Sequence, residues 1–214
     1  MLKATDLYCE RDDRVLFQNL DLELSAGQVL QIQGSNGSGK STLLRVLCGL
    51  NTDYRGTICW QGTPVDQVRA DYCRGIFYLG HAAAIKKILS PVENLRWFCA
   101  MQGTVDEKAI KAALSESGLR GYDDIPCFML SAGQQRRVSL ARLHLSSARL
   151  WLLDEPFTAL DHRGVGELES FLTAHVQSGG AVILTTHHPL QMACEVRVVN
   201  LDDLALPLET ERDV

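Results

Sequence analysis

Val29-Leu30-Gln31-Ile32-Gln33-Gly34-Ser35-Asn36-Gly37-Ser38-Gly39-Lys40-Ser41-Thr42-Leu43-Leu44-Arg45-Val46-Leu47 is the stretch that decides how this chain folds. Its opening residues, Val29 to Gln33, read as a short strand, and Ser41 to Leu47 have the content of a helix that Gly49 is placed to stop. Between them stands G-x-x-x-x-G-K-[ST], the phosphate-binding loop pattern, in the strand–loop–helix setting it requires. Its glycines let successive N–H groups turn inward around phosphate oxygens, and the helix that follows presents its positive N-terminal end to the same anion. Gly34, Ser35, Asn36, Gly37, Ser38, Gly39, Lys40, Ser41 and Thr42 are therefore the expected nucleotide-binding residues. Lys40 should reach the β- and γ-phosphates and Ser41 should ligate Mg²⁺. A chance glycine-rich turn would match in roughly one chain in a hundred of this length. The loop alone leaves reaction and partner open, because it serves many NTPases.

Upstream, Arg14-Val15-Leu16-Phe17 and Asp21-Leu22-Glu23-Leu24 alternate at period two and predict antiparallel strands with one wet face. Downstream, from Pro91 to Arg120, the chain turns helical, with patches at Val92 to Met101 and Asp106 to Ser117. Thr104-Val105-Asp106-Glu107 supplies capping residues before the second patch and Gly118 ends it. After Leu130 helices alternate with strands: Gln134 to Ser146, Leu150 to Leu153, Gly164 to Gln177, Ala181 to Thr185. That order implies a parallel sheet covered on both sides. The expected fold is α/β: a mainly parallel sheet core, an N-terminal antiparallel β subdomain and a helical insertion. At 214 residues, without repeat or linker, one domain is expected.

Composition, at 46% hydrophobic and 22% charged, is that of a globular protein, and a net charge of −5 gives no footprint for nucleic acid, which is not an expected partner. The longest apolar runs, Ala181 to Leu184 and Leu150 to Leu153, fall far short of the roughly 20 residues that span a bilayer. The first residues lead to no apolar signal core, so a cytosolic location is expected. Cys9, Cys48, Cys59, Cys73, Cys99, Cys127 and Cys194 form no C-x-x-C pair and are odd in number, as expected of reduced, core-filling thiols.

Three further segments carry candidate chemistry. Leu150-Trp151-Leu152-Leu153-Asp154-Glu155 is an apolar strand ending in two carboxylates, and such a strand end lies in the crevice where open α/β sheets bind ligands. There Asp154 can hold Mg²⁺ through water while Glu155 orients and deprotonates an attacking water. Alone, an Asp-Glu pair after a strand is more often a solvated loop start. In Leu130-Ser131-Ala132-Gly133-Gln134-Gln135-Arg136-Arg137, the Ser131 hydroxyl and Gly133 N–H at a helix start form a second anion cradle. Read in isolation, Ser-x-x-Gln is equally an ordinary N-capped helix. His187 follows the strand Val182-Ile183-Leu184, where a lone histidine is usually structural or simply exposed.

In order and spacing these pieces resemble the ABC ATPase domains: P-loop, signature sequence with Ala132 in place of the commoner first glycine, Walker B pair Asp154-Glu155, D-loop Ala159-Leu160-Asp161 and switch histidine His187. The resemblance runs from Gly34 to His187, most of the chain. It implies a P-loop NTPase of ABC type, one ATPase domain over 1–214, with a core of about 1–80 and 150–214 and a helical lobe of about 81–149. It also implies ATP hydrolysis by a head-to-tail dimer of two copies, with ATP between one copy's P-loop and the other's signature. Glu155, His187, Lys40 and His81 become the catalytic candidates. Ser131, Gly133, Gln134 and Asp161 join the P-loop in ATP binding, and Ser41 and Asp154 hold Mg²⁺.

Two positions depart from that family's pattern. Counting back from Ser90-Pro91-Val92-Glu93-Asn94-Leu95, the Q-loop glutamine position holds His81, whose single hydrogen bond to a metal-bound water would carry a pH-dependent charge. The position of the adenine-stacking aromatic holds Arg11; its guanidinium plane can stack on a base, though Tyr8 or Phe17 could serve instead.

Gly80-His81, the string Leu130 to Arg142, Asp154 to Ala159, Ile183 to His187 and Cys9 to Arg14 further resemble the ATP-binding subunits of the bacterial cytochrome c maturation system. That resemblance implies a CcmB-like polytopic membrane subunit, further cytochrome c maturation proteins, and a peripheral position on the cytoplasmic face of the inner membrane. ATP would drive haem export or release of a haem-loaded chaperone. The chain carries no C-x-x-C-H motif, and His81, His144, His162, His175, His187 and His188 are better explained without haem. Two alternatives stand beside this: the ATPase subunit of another small-molecule ABC transporter, and a non-transport ABC ATPase, which usually has two ATPase units or a long coiled-coil insertion. Intact Lys40, Ser41, Asp154, Glu155 and His187 argue against a binding module with a dead site.

Overall fold

The computed structural model describes residues 1–103 and 105–204. In chain order the elements are β1 (Leu2–Arg11), β2 (Arg14–Leu24), β3 (Val29–Gln33), α1 (Lys40–Leu47), β4 (Arg55–Trp60), β5 (Thr63–Pro64), α2 (Arg69–Gly75), β6 (Ile76–Leu79), α3 (Pro91–Met101), α4 (Glu107–Glu116), α5 (Ala132–Ala141), β7 (Leu150–Asp154), α6 (His162–Gln177), β8 (Ala181–Thr185) and β9 (Val196–Asn200).

They form two sheets, one antiparallel in the order β2-β1-β4-β5 and one parallel in the order β6-β7-β8-β3-β9. Hairpin β1–β2 closes at Arg11↔Arg14 through Asp12 and Asp13, whose φ of 52° and 59° suit the mirror-type turn that matches strand twist. Asp tolerates that left-handed backbone because its short side chain bonds locally.

The inner parallel strands β7 and β8 are buried on both faces, and their alternation assigns each face to a different core. Leu150 and Leu152 of β7, and Ala181 and Ile183 of β8, face the antiparallel sheet and α1; Trp151, Leu153, Val182 and Leu184 face α6 and the α3–α5 lobe. Leu150, Leu152, Leu153 and Ile183 are wholly buried, and burial of such side chains contributes roughly 1.5–3 kcal/mol each.

The elements expected from sequence are present, with shifted bounds. Residues 14–24 form one strand instead of two short runs. α5 starts at Ala132, two residues before the expected Gln134, because Ser131 caps it, and it gives way at Arg142–Leu145 to a 3-10 turn. Similarly α6 starts at His162, capped by Asp161. Asp106 caps α4 by accepting from Lys108 N (2.8 Å) and Ala109 N (3.2 Å), whereas Thr104 of the expected capping group lies outside the described residues. β1, β4, β5, α2, β6 and β9 were not anticipated.

This topology positions the site. β3, β6, β7 and β8 run in the same direction, so the loop after β3, Gly80-His81 after β6, Asp154-Glu155 at the end of β7 and Thr186-His187 after β8 all emerge along one edge of the sheet.

Candidate active site

Along that edge lies an open cleft of about 520 Å³ lined by Arg11, Leu16, Asn36, Gly37, Gly39, Lys40, Ser41, Thr42, His81, Asp154, Glu155, Thr158 and His187. Every candidate catalytic and metal-ligating residue is among them. At its floor Gly39 is the N-cap of α1 with φ 99° and no side-chain cap; an added Cβ would sit 3.0 Å from Leu16 Cβ, so a larger residue would both strain the backbone and press on the cleft wall. Lys40 Nζ donates to the carbonyls of Gly34 (2.8 Å) and Ser35 (2.9 Å), which keeps the ammonium at the loop's mouth. Ser35 is itself tethered, its N–H and hydroxyl donating to the Asp202 carboxylate at 2.8 and 2.9 Å. Ser38 is buried with its hydroxyl unpartnered.

The two carboxylates are held differently. Asp154 is 3% exposed and accepts from the Thr185 hydroxyl (2.8 Å), its register partner on β8. Glu155 has left the strand with φ 48°, its N–H donating to Thr185 O and Oγ1 at 3.2 and 3.0 Å. This left-handed turn points its side chain into the cleft, where Oε1 is buried without a hydrogen bond and His187 Nε2 stands 3.6 Å away. An unpartnered buried carboxylate oxygen is costly, and a water held for attack is the partner that would satisfy it. Ser41 and Asp154 together offer a hydroxyl and a carboxylate, a donor set that fits Mg²⁺.

His81 is exposed and lines the cleft, as does Arg11. Phe17 is wholly buried, so it cannot stack on a base. Tyr8 donates its hydroxyl to Glu10 and lies 5.3 Å under the Arg55 guanidinium, outside the cleft lining.

Residues 17–158 match the ABC transporter family. Among curated relatives, the cytochrome c biogenesis ATP-binding export protein CcmA of Hahella chejuensis is 51% identical, over 94% of this chain and 95% of its own length. The chain belongs to the CcmA family of ABC transporter ATP-binding proteins. The CcmA of Pseudomonas putida KT2440 is 54% identical over 89% of this chain and 90% of its own. Among solved structures, an ABC transporter ATP-binding protein from Pyrococcus furiosus superposes with a TM-score of 0.83 at 25% identity, covering 96% of this chain and 99% of that one.

Ser131, Gly133, Gln134 and Asp161 of this CcmA-family chain do not line the cleft. Ser131 Oγ accepts from Gln134 N (3.2 Å) and Gln134 Oε1 accepts from Ser131 N (2.9 Å), a complete capping box. The plain N-cap is thus realised, yet the Ser131 hydroxyl proton is not consumed by it, and Ser131 is exposed. Gly133 packs so closely that an added Cβ would lie 2.7 Å from the carbonyl of Ala159. Asp161 caps α6 at Gly164 N (3.0 Å) and binds Arg137 Nη2 (2.8 Å); that N–H first, then the guanidinium, holds its carboxyl below the usual range.

Two groups escaped the sequence reading. Leu16 forms the apolar wall beside Gly39, signalled only as one hydrophobic position in an alternating strand. Arg136, one turn into α5, is 4% exposed and donates to main-chain carbonyls of Pro156, Gly80, His81, Asp154 and Glu155. Burial pushes its guanidinium down from its ordinary value, and Asp154 and Glu155 push back. Such a residue looks like any solvated helix arginine until the fold is known.

Proposed function

We propose that this chain is the ATP-hydrolysing, energy-coupling subunit of a transporter complex serving c-type cytochrome biogenesis. Two copies would close head to tail on ATP, and a CcmB-like polytopic membrane subunit, with further maturation proteins, would receive the movement at the cytoplasmic face of the inner membrane. The carrying observation is the convergence of Lys40, Ser41, Asp154, Glu155 and His187 in one cleft, with Glu155 Oε1 buried and unpartnered. The exclusion of Ser131 and Gly133 from that cleft supports the dimer, since an exposed anion-binding helix start is then left for the other copy's nucleotide. The chain is read as one ATPase domain with a core of about 1–80 and 150–214 and a helical lobe of about 81–149, in which the helical insertion Pro91 to Arg120 and the loop near His81 would pass the movement to the membrane subunit. Among the described residues no helix is long and apolar enough to cross a membrane, so a membrane partner would supply the passage.

In this reading Glu155 takes a proton from water as the water oxygen attacks the γ-phosphorus in line. The bond to the β–γ bridging oxygen breaks, and ADP and phosphate leave. Lys40, the loop N–H groups and the partner copy's Ser131 neutralise charge on the phosphate oxygens, which supplies most of the acceleration in phosphoryl transfer. Ser41 and Asp154 would hold Mg²⁺, which when bound adds charge neutralisation at the phosphates. His187 lies close enough to orient Glu155 or the γ-phosphate, His81 would bond a water beside it, and Arg11 would lie against adenine.

Affinity purification of the tagged chain from solubilised membranes tests the assignment. A polytopic subunit together with cytochrome c maturation proteins is the expected recovery. A different permease would remove the cytochrome c reading while keeping transport, and absence of any membrane partner would overturn both.

A further inference from the structure

Arg136 and Ser139 of α5 and Arg142 at its C-cap follow one another at three-residue spacing and form one stripe. The stripe grips the loop that follows β6: Arg136 Nη1 donates to Gly80 O (3.3 Å) and His81 O (3.4 Å), Ser139 Oγ donates to Ala83 O, and Arg142 Nη1 donates to Ala84 O (3.4 Å). Arg136 alone also reaches across to the end of β7. Its Nη2 donates to Glu155 O (2.7 Å) and Asp154 O (3.1 Å), and its Nε donates to Pro156 O (3.2 Å). All five acceptors are main-chain carbonyls, so the guanidinium holds backbone and not side-chain charge. Glu155 sits in a left-handed conformation at φ 48° that a glutamate does not favour, and its carbonyl also accepts from Thr158 N (3.3 Å).

We propose that Arg136 is a positioning residue that locks Glu155 in its left-handed turn and ties it to the His81 loop and to α5, so that the three move as one unit. The planar fork spreads donors over both segments at once, which the single ammonium of lysine cannot do. Because α5 begins at Ser131, the clamp joins the surface a second copy would use to the carboxylate that would activate water. This rests on the hydrolytic reading above, and it assigns to a helix arginine the job of keeping the base in register.

The test compares wild type, Arg136→Ala and Arg136→Lys in the full chain. ATP turnover and binding of a fluorescent ATP analogue are measured side by side, with millimolar guanidinium added to the alanine variant. Misplacement of the base by about an ångström costs on the order of a hundredfold. Arg136→Ala should therefore lose about that factor in kcat while analogue affinity changes by less than about threefold, and guanidinium should restore part of the rate. Arg136→Lys, which keeps charge and bulk, decides the matter if the alanine variant fails to fold; it too should bind normally and turn over slowly. Wild-type turnover in either folded variant, or a loss of binding in proportion to rate, overturns the proposal. No hydrolysis by wild type would instead sink the hydrolytic reading itself.

Discussion

The helices α1 and α5 both begin at a candidate phosphate-binding turn, and they begin in opposite ways. α1 starts from Gly39 in the left-handed region with no side chain to satisfy its first N–H groups. α5 starts from Ser131 with a reciprocal capping box. A helix leaves its first four N–H groups without partners inside it, and they must be met by a cap, water or ligand. The α1 start thus has none of its first N–H groups met by a side chain, whereas the α5 capping box meets those of Ser131 and Gln134 and leaves the Ala132 and Gly133 N–H groups and the Ser131 hydroxyl proton for another acceptor. In physical terms, the α1 start depends on a ligand for its first N–H groups, and the partly capped α5 start can persist without one.

The sharpest way to break this contrast is Glu155→Gln, which leaves both helix starts untouched. Turnover should fall by roughly 10²–10⁴-fold, the usual worth of a general base. ATP should then trap a dimer on size exclusion, and adding Ser131→Ala should abolish the trapping. Hydrolysis at the wild-type rate would remove Glu155 from its role, and trapping that survives Ser131→Ala would remove α5 from the interface.

Next in size is the ligand's effect on stability. ATP at a hundredfold its dissociation constant should stabilise wild type by about 2.7 kcal/mol. Lys40→Ala, which removes the ammonium from the α1 loop, should abolish most of that shift in a thermal melt while leaving the melt without nucleotide nearly unchanged. Ser131→Ala should do the reverse. Loss of the α5 cap costs about 1 kcal/mol without nucleotide, and the ATP-induced shift in dilute protein should persist. If Ser131→Ala melted like wild type, the stabilising part given to the α5 cap would be wrong.

The smallest effect concerns two histidines away from both helix starts, His144 in the 3-10 turn after α5 and His175 on α6. Burial lowers the titration of His144, despite Glu116 at 2.9 Å, and burial likewise lowers that of His175, stacked on Trp151. In the unfolded chain such imidazoles take up protons near pH 6.5, where the folded ones resist. Stability is therefore fully present above about pH 6.5 and declines as pH falls below it. Melting temperature followed from pH 7.5 to 5.5 should drop, and His144→Gln with His175→Gln should flatten the slope. Because both sites lie off the cleft, saturating ATP should leave that slope unchanged.

Much of this was legible in the sequence because it is local. The P-loop is a backbone device whose residue types and spacing dictate its shape. The strands β7 and β8 carry four-residue apolar runs that suit a sheet buried on both faces, β3 precedes the P-loop directly, and their order placed Asp154, Glu155 and His187 near the loop. The edge strand β9, with Arg197 and Val198 exposed, and the four-residue β6 carry too little pattern to be read. Whether a side chain reaches its site is a different matter. Phe17 and Leu16 are neighbours on one strand and both are buried, and packing alone decided that the leucine also borders the cleft while the aromatic is shut away from it. The same holds for Arg136: its identity and helical setting are written in the chain, but its five carbonyl partners come from segments 18 to 56 residues away. Residue type and local spacing determined which groups could bind and cleave a nucleotide; only the packing of α5 against the ends of β6 and β7 decided which of them are held, because contacts at that separation exist only once the core has formed.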